Sequence, residues 1–163
     1  MSSKTHESSE EKIESAPKSQ SKSIIILLVV LAFSVLFMAA TAFTFLKDRQ
    51  LTINDQKFDV VLADTPPERE KGLSGWDRLG QDQGMLFVYS EPGPYCIWMK
   101  DMKFSIDIIW FDASRKVIHT EQNVPPESYP DTFCPESNAK YILEVPAGTV
   151  SNHQIKAGDQ AKF

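Results

Sequence analysis

Ile24 to Leu46 carries no charged residue and is interrupted only by Ser34, Thr41 and Thr44, whereas the chain beyond it breaks into short apolar runs separated by turn residues. As a helix, those 23 residues reach about 34 Å, against a hydrocarbon core of about 30 Å. Only a helix satisfies its own backbone groups in lipid, so the run predicts a single transmembrane helix. A cleavable signal peptide is the competing reading, because Ala40-Thr41-Ala42 has the small-x-small pattern of a cleavage site. The retained signal anchor is favoured, since a polar leader with four glutamates is unlike a short basic n-region.

Downstream, Leu51–Ile53 and Phe58–Ala63 flank Asn54-Asp55 and read as a hairpin. Thr65-Pro66-Pro67-Glu68 is a capping box with proline at the first helical position, and Gly72 suits the C-terminal cap, so a short helix is expected over Pro66 to Lys71. Gly84–Tyr89 and Cys96–Met99 read as strands. Ser105–Asp112 and Val117–Gln122 form a second hairpin, Pro125–Ser137 a long irregular loop, and Tyr141–Val145 a further strand. Gly158–Phe163 reads as a closing strand. The expected fold is therefore mainly β, a compact barrel or sandwich with one short helix, preceded by the transmembrane helix. Its divisions are a disordered polar tail (1–23), the anchor (24–46) and one β-rich domain (47–163).

The tail's four lysines and four glutamates cancel, which leaves the whole net charge of −5 to the rest of the chain. Without a basic stripe to neutralise phosphates, no nucleic-acid partner is expected. Lys12, Lys18 and Lys22 before the apolar run balance Lys47, Arg49 and Lys57 after it, so positive charge does not orient the chain. A short tail inside and a folded domain outside is the usual single-pass arrangement, and Cys96 and Cys134 suit an oxidising compartment. The localisation expected is a cell membrane with the C-terminal domain extracytoplasmic. A Cys96–Cys134 disulfide is the candidate pairing; two free thiols remain the alternative.

No metal-ligand spacing or phosphate loop is visible, and no cofactor is expected. Lys100, Asp107 and Glu144 adjoin or interrupt runs that should pack, and a buried charge is costly unless it is paired. The structural expectation is an ion pair, for instance with Arg69. On the functional expectation, Arg69 and Lys100 hold an anionic group, Asp107 and Glu144 accept hydrogen bonds, and Trp98 with Tyr95 or Trp110 supplies a stacking wall. Trp98, Met99, Met85 and Phe87 read first as core, and Gly72, Gly84 and Gly148 as turn residues.

Five blocks in one order carry a further signal: Thr65-Pro66-x-x-Arg69-x-x-Gly72-Leu73, Gly84-Met85-Leu86-Phe87, Trp98-Met99-Lys100, Ile106-Asp107-Ile108-Ile109, and Tyr141-x-Leu143-Glu144-Val145-Pro146-Ala147-Gly148. Together they resemble the bacterial and archaeal domain of unknown function numbered 192, over roughly Ile53 to Phe163. The resemblance implies a compact, mostly β fold, frequent export and no established activity. Asp101-Met102 and Ser74-Gly75-Trp76 depart from its usual pattern. Two functions follow as expectations. The first is a binding or accessory module for a small polar ligand, a glycan or an envelope protein; the second is a small hydrolase-like enzyme with Asp107 or Glu144 as general base.

Overall fold

The computed structural model describes residues 24–34 and 50–163. The first stretch is a helix, α1 (residues 24–34), within a unit distinct from the β-rich one. The tail over 1–23 and positions 35–46 of the expected anchor lie outside the described residues. Among the described residues no helix is long and apolar enough to cross a membrane.

The second unit is built on a six-stranded sheet of order β1-β2-β3-β8-β5-β6. Strands β1 (Gln50–Ile53) and β2 (Gln56–Ala63) form the expected hairpin, with Asn54 and Asp55 both at positive φ, the geometry that a tight two-residue turn demands. Helix α2 (Pro66–Lys71) has the boundaries its capping box predicts: Thr65 N–H and Oγ1 donate to Glu68 Oε2 at 3.0 and 2.7 Å, and Gly72 N–H closes on the Glu68 carbonyl. These bonds also hold the Glu68 carboxyl below its usual range. The helix crosses to β3 (Gln83–Gly93), which pairs with β2 in parallel. Strands β5 (Ile106–Phe111), β6 (Val117–Val124) and β8 (Ala139–Pro146) complete the sheet with antiparallel pairings. A separate two-stranded sheet joins β4 (Ile97–Trp98) to β7 (Thr132–Phe133), so the expected irregular loop contains a strand as well as a 3-10 turn at Pro126–Ser128.

Side chains of the central strands alternate between two apolar layers, as a two-residue period requires. Leu86, Ile109, Phe111, Leu143 and Val145 face one layer, which α3 (Thr149–Asn152), Ile155, Ala161 and Phe163 cover. Met85, Phe87, Ile106, Ile108, Trp110 and Ile142 face the other, covered by Leu73, Ile97, Met99 and Phe133. Gly84 lies inside β3 rather than in a turn, because a Cβ there would come within 2.9 Å of Leu143 Cδ1 and 3.0 Å of the Glu144 carbonyl oxygen.

Three expectations need correction. The sheet is open, not a closed barrel: β1 and β6 are its edges and form no ladder with each other. The closing strand is replaced by isolated bridges, Thr52 with Lys162 and Lys116 with Gln160, through which the C-terminal residues touch both edges. Finally, α3 is a second short helix. Gly148 enters it at φ 88, a left-handed backbone with no polar side chain to announce a cap.

Cys96 and Cys134 are joined by a disulfide across a sequence separation of 38, beside the β4–β7 pair. A loop of that length restricts the unfolded chain by about 4 kcal/mol. The double substitution Cys96→Ser/Cys134→Ser is expected to lower unfolding free energy by up to about that amount in urea titration, and to loosen β4 before the six-stranded sheet in amide exchange.

Candidate functional site

Asp107 and Glu144 look alike in the sequence, as single carboxylates inside apolar strands, yet they lie on opposite faces of the sheet. Asp107, fully buried, points to the α3 side. Its Oδ1 accepts from Asn123 N–H at 2.7 Å and Gly148 N–H at 3.2 Å, and its Oδ2 accepts from Val150 N–H at 2.7 Å. Three backbone amides thus replace the water lost on burial, and they tie β5, the end of β6 and the first turn of α3 together. Asp107 is a fastener of the fold.

Glu144 faces the other layer. Its cross-strand partners are Met85 on β3 and Ile108 on β5, both buried, so register alone carries its carboxyl into apolar surroundings. Glu144 Oε2 has no hydrogen-bond partner among the described residues. Burial pushes its carboxyl up to about 8, so that it is mostly un-ionised at neutral pH.

The carboxyl lines a small cleft together with Arg69 and Lys71 of α2, Ser74, Phe87 and Tyr89 of β3, and Trp98 of β4. The volume of the cleft is about 50 Å³. Arg69 Nη1 donates to the carbonyls of Asp64 and Val88, the latter at 2.9 Å, and its guanidinium lies 4.8 Å from the centre of the Tyr89 ring. That ring stacks on Tyr95 at 3.5 Å between centroids, while Tyr95 in turn accepts from Trp110 Nε1 through its backbone carbonyl at 3.0 Å. Burial raises the Tyr89 hydroxyl above its usual range, partly offset by Arg69, so it remains a neutral donor.

Of the residues singled out in the sequence, Arg69, Trp98 and Glu144 line one cleft. Lys100 stands at its edge, with Nζ 5.6 Å over the Trp98 ring. Asp107 is absent from the cleft, and Arg69 forms no ion pair among the described residues, where the pairs are Lys103–Asp77 and His119–Glu121. The expected Arg69 ion pair is therefore replaced by bonds to backbone carbonyls. Trp98 is not core: it is 44% exposed and meets the exposed Tyr129 edge-on at 6.3 Å, because β4 lies outside the main sheet. Met85, Phe87 and Met99 are buried as expected. Tyr89 was the residue that sequence reasoning passed over, since it closes an apolar run and carries no charge to attract notice.

A mainly β domain with a small carboxyl-floored cleft under a disulfide-fastened flap is the class that this geometry defines. The family profile described as an uncharacterized ACR, DUF192, matches residues 49–163, and the chain belongs to that family. A UPF0127 protein of Thermococcus sibiricus is 31% identical over 105 residues, covering 62% of this chain and 63% of its own length. A second, from Thermococcus kodakarensis, is 29% identical over 100 residues, with 61% of each covered. The chain thus spans less than two thirds of those relatives. Two crystal structures share the fold. A protein of unknown function from Novosphingobium aromaticivorans has a TM-score of 0.67 at 26% identity, covering 70% of this chain and 84% of that one. A putative transcription regulator from Sinorhizobium meliloti has a TM-score of 0.65 at 28% identity, covering 69% and 89%.

Glu144 generates a prediction of unusual sign. Replacing a buried, unpartnered carboxyl with an apolar side chain removes its desolvation cost, so Glu144→Leu is expected to raise unfolding free energy by about 1–3 kcal/mol in urea. Asp107→Asn is expected to lower it by a similar amount, because its amide group would oppose backbone donors. The folded carboxyl near 8 lies above its unfolded value of 4.5, so its contribution is full below pH 4.5, declines as pH rises towards 8, and is level above that. The difference between wild type and Glu144→Gln, followed by urea unfolding from pH 4 to 9, should trace that decline.

Proposed function

We propose that the protein is a membrane-anchored, extracytoplasmic binding module whose site is the cleft over Glu144. The observation that carries the site is the buried, unpartnered Glu144 carboxyl lining that cleft. A fold that needed only packing would be more stable with an apolar residue there, and a ligand that hydrogen-bonds the carboxyl makes its retention intelligible. The ligand class is a small polar molecule, or the small polar end of a glycan or envelope protein, with Trp98 as an exposed wall.

Support for the anchor comes from α1, where every large apolar side chain from Ile24 to Leu31, and Phe33, is exposed. A helix apolar on all faces needs lipid or protein around it. The Cys96–Cys134 disulfide supports an oxidising compartment for the domain. A nucleic-acid partner is not part of the reading, since the net charge is −5 and no basic stripe is present.

A second reading, hydrolase-like chemistry, draws on the Glu144 carboxyl near 8, a value suited to a general acid or base. Asp107 is spent on three amides and faces away from the cleft, which narrows that reading to Glu144.

Thermal-shift screening of the full chain against small polar metabolites and soluble glycans tests the binding reading. A ligand at a hundred times its Kd should stabilise the wild type by about 2.7 kcal/mol, and its effect should vanish in Glu144→Leu. A ligand that is also consumed, with turnover abolished but binding kept in Glu144→Gln, would shift the balance to the enzyme. Carbonate washing of membranes tests the anchor: the full chain should stay in the pellet, and release into the supernatant would remove that part of the reading.

A further inference from the structure

The cleft over Glu144 has a donor inventory more specific than "polar". Tyr89 contributes a phenol O–H, Lys71 an ammonium group, and Arg69 the guanidinium N–H groups that remain after Nη1 has met two backbone carbonyls. The un-ionised Glu144 adds an acid O–H. Ser74 Oγ is already committed to the Lys100 carbonyl at 2.7 Å. Against these stand Glu70, the one other carboxylate of the lining, and the Cys96 sulfur, which is bound in the disulfide and does not titrate. Donors exceed acceptors, and two of them are cations.

Size narrows the choice. One water needs about 10–15 Å³ of such space, so the roughly 50 Å³ of the cleft admits a group of about three or four heavy atoms. The rest of any larger ligand must lie outside, beside the exposed Trp98 ring. An ammonium group is disfavoured, because it brings donors to donors and positive charge towards Arg69 and Lys71.

We infer that the cleft takes a carboxylate group, presented by a small organic acid or by the end of a longer ligand, with Arg69 as its charge partner and the Glu144 acid O–H as its hydrogen-bond donor. The inference deepens the binding reading above and rests on it. A carboxylate supplies acceptors for the acid, the phenol and the guanidinium at once, and its charge complements Arg69 and Lys71. Glu144 is a binding group only while it holds its proton. Its ionisation would set two carboxylates against each other, so affinity must fall as the pH rises past the point where Glu144 titrates.

The titratable groups facing Glu144 are Arg69, Glu70 and Lys71 from α2 and Tyr89 from β3. Burial raises the Tyr89 hydroxyl further above its usual range, away from the range of the test. Sodium acetate, acetamide and acetamidinium, each with four heavy atoms in one plane, serve as anionic, neutral and cationic probes of nearly equal size. The readout is the side-chain carboxyl resonance of Glu144 in the full chain, labelled with carbon-13 glutamate in neutral detergent micelles and titrated from pH 6 to 9.5.

Acetate is expected to shift that resonance saturably. Its affinity should drop close to tenfold per pH unit above the Glu144 titration, and at least tenfold in Arg69→Gln. Glu144→Gln, followed through Tyr89 ring resonances, should bind acetate with that pH dependence removed. Preference for acetamide or acetamidinium would overturn the carboxylate inference and leave the cleft as a binding site for another class. If no probe moves the Glu144 resonance, or shifts are confined to residues outside the cleft, both the inference and the binding reading at this site fail.

Discussion

The centre of the sheet is buried among apolar side chains on both sides, and the rest of the structure answers to that constraint. β5 and β8 pack apolar side chains into two layers, so a polar group placed on either strand must find a partner within the protein or bear its desolvation alone. Asp107 finds three amides and in doing so fixes where β6 ends and α3 begins. Glu144, on the neighbouring strand and the opposite face, finds none for Oε2 among the described residues. The fold thus contains one carboxyl that stabilises it and one that costs it stability. A buried carboxyl of the second kind in a cleft is a candidate for a functional site, which is why the proposal rests on the cleft and not on the more thoroughly bonded Asp107.

Each layer is covered differently. The Asp107 side is sealed by α3 and the C-terminal residues, which contribute Val150, Ile155 and Ala161 to its core. The Glu144 side relies on α2 and on a flap whose own sheet has two residue pairs, Ile97 with Phe133 and Trp98 with Thr132. So small a ladder is marginal by itself, and the neighbouring disulfide supplies covalent restraint. The wall that carries Trp98 is therefore the part of the site with the least noncovalent support.

How much of this was legible in the sequence depended on whether the signal was local. The α2 boundaries follow from Thr65, Pro66, Glu68 and Gly72, all within one helix and its caps. The β1–β2 hairpin follows from Asn54-Asp55 in the same way. The parallel pairing of β2 with β3 and the placement of β8 between β3 and β5 are decided by tertiary packing, which no short window encodes. Helix α3 was missed because Gly148 begins it through backbone conformation rather than a polar cap. The site was half legible. Charged residues beside or within apolar runs marked Lys100, Asp107 and Glu144, with Arg69 as a candidate partner, but which carboxylate is satisfied depends on amides from Asn123, Gly148 and Val150, between 16 and 43 residues from Asp107 in the chain.

The C-terminal residues have a consequence of another kind. An open sheet exposes two rows of unpaired backbone groups, and such rows invite strands from neighbouring copies to join them. Here Thr52 on one edge exchanges both of its backbone hydrogen bonds with Lys162 at 2.9 Å, while at the other end of the sheet Val117 N–H donates to the Asp159 carbonyl and Ala161 N–H to that of Arg115. One short segment near the chain's end thus acts as a seam, occupying part of both edges with the protein's own backbone. Crowded copies meet rims that are partly taken, and six residues that form no strand of their own lessen the backbone left free for strand addition.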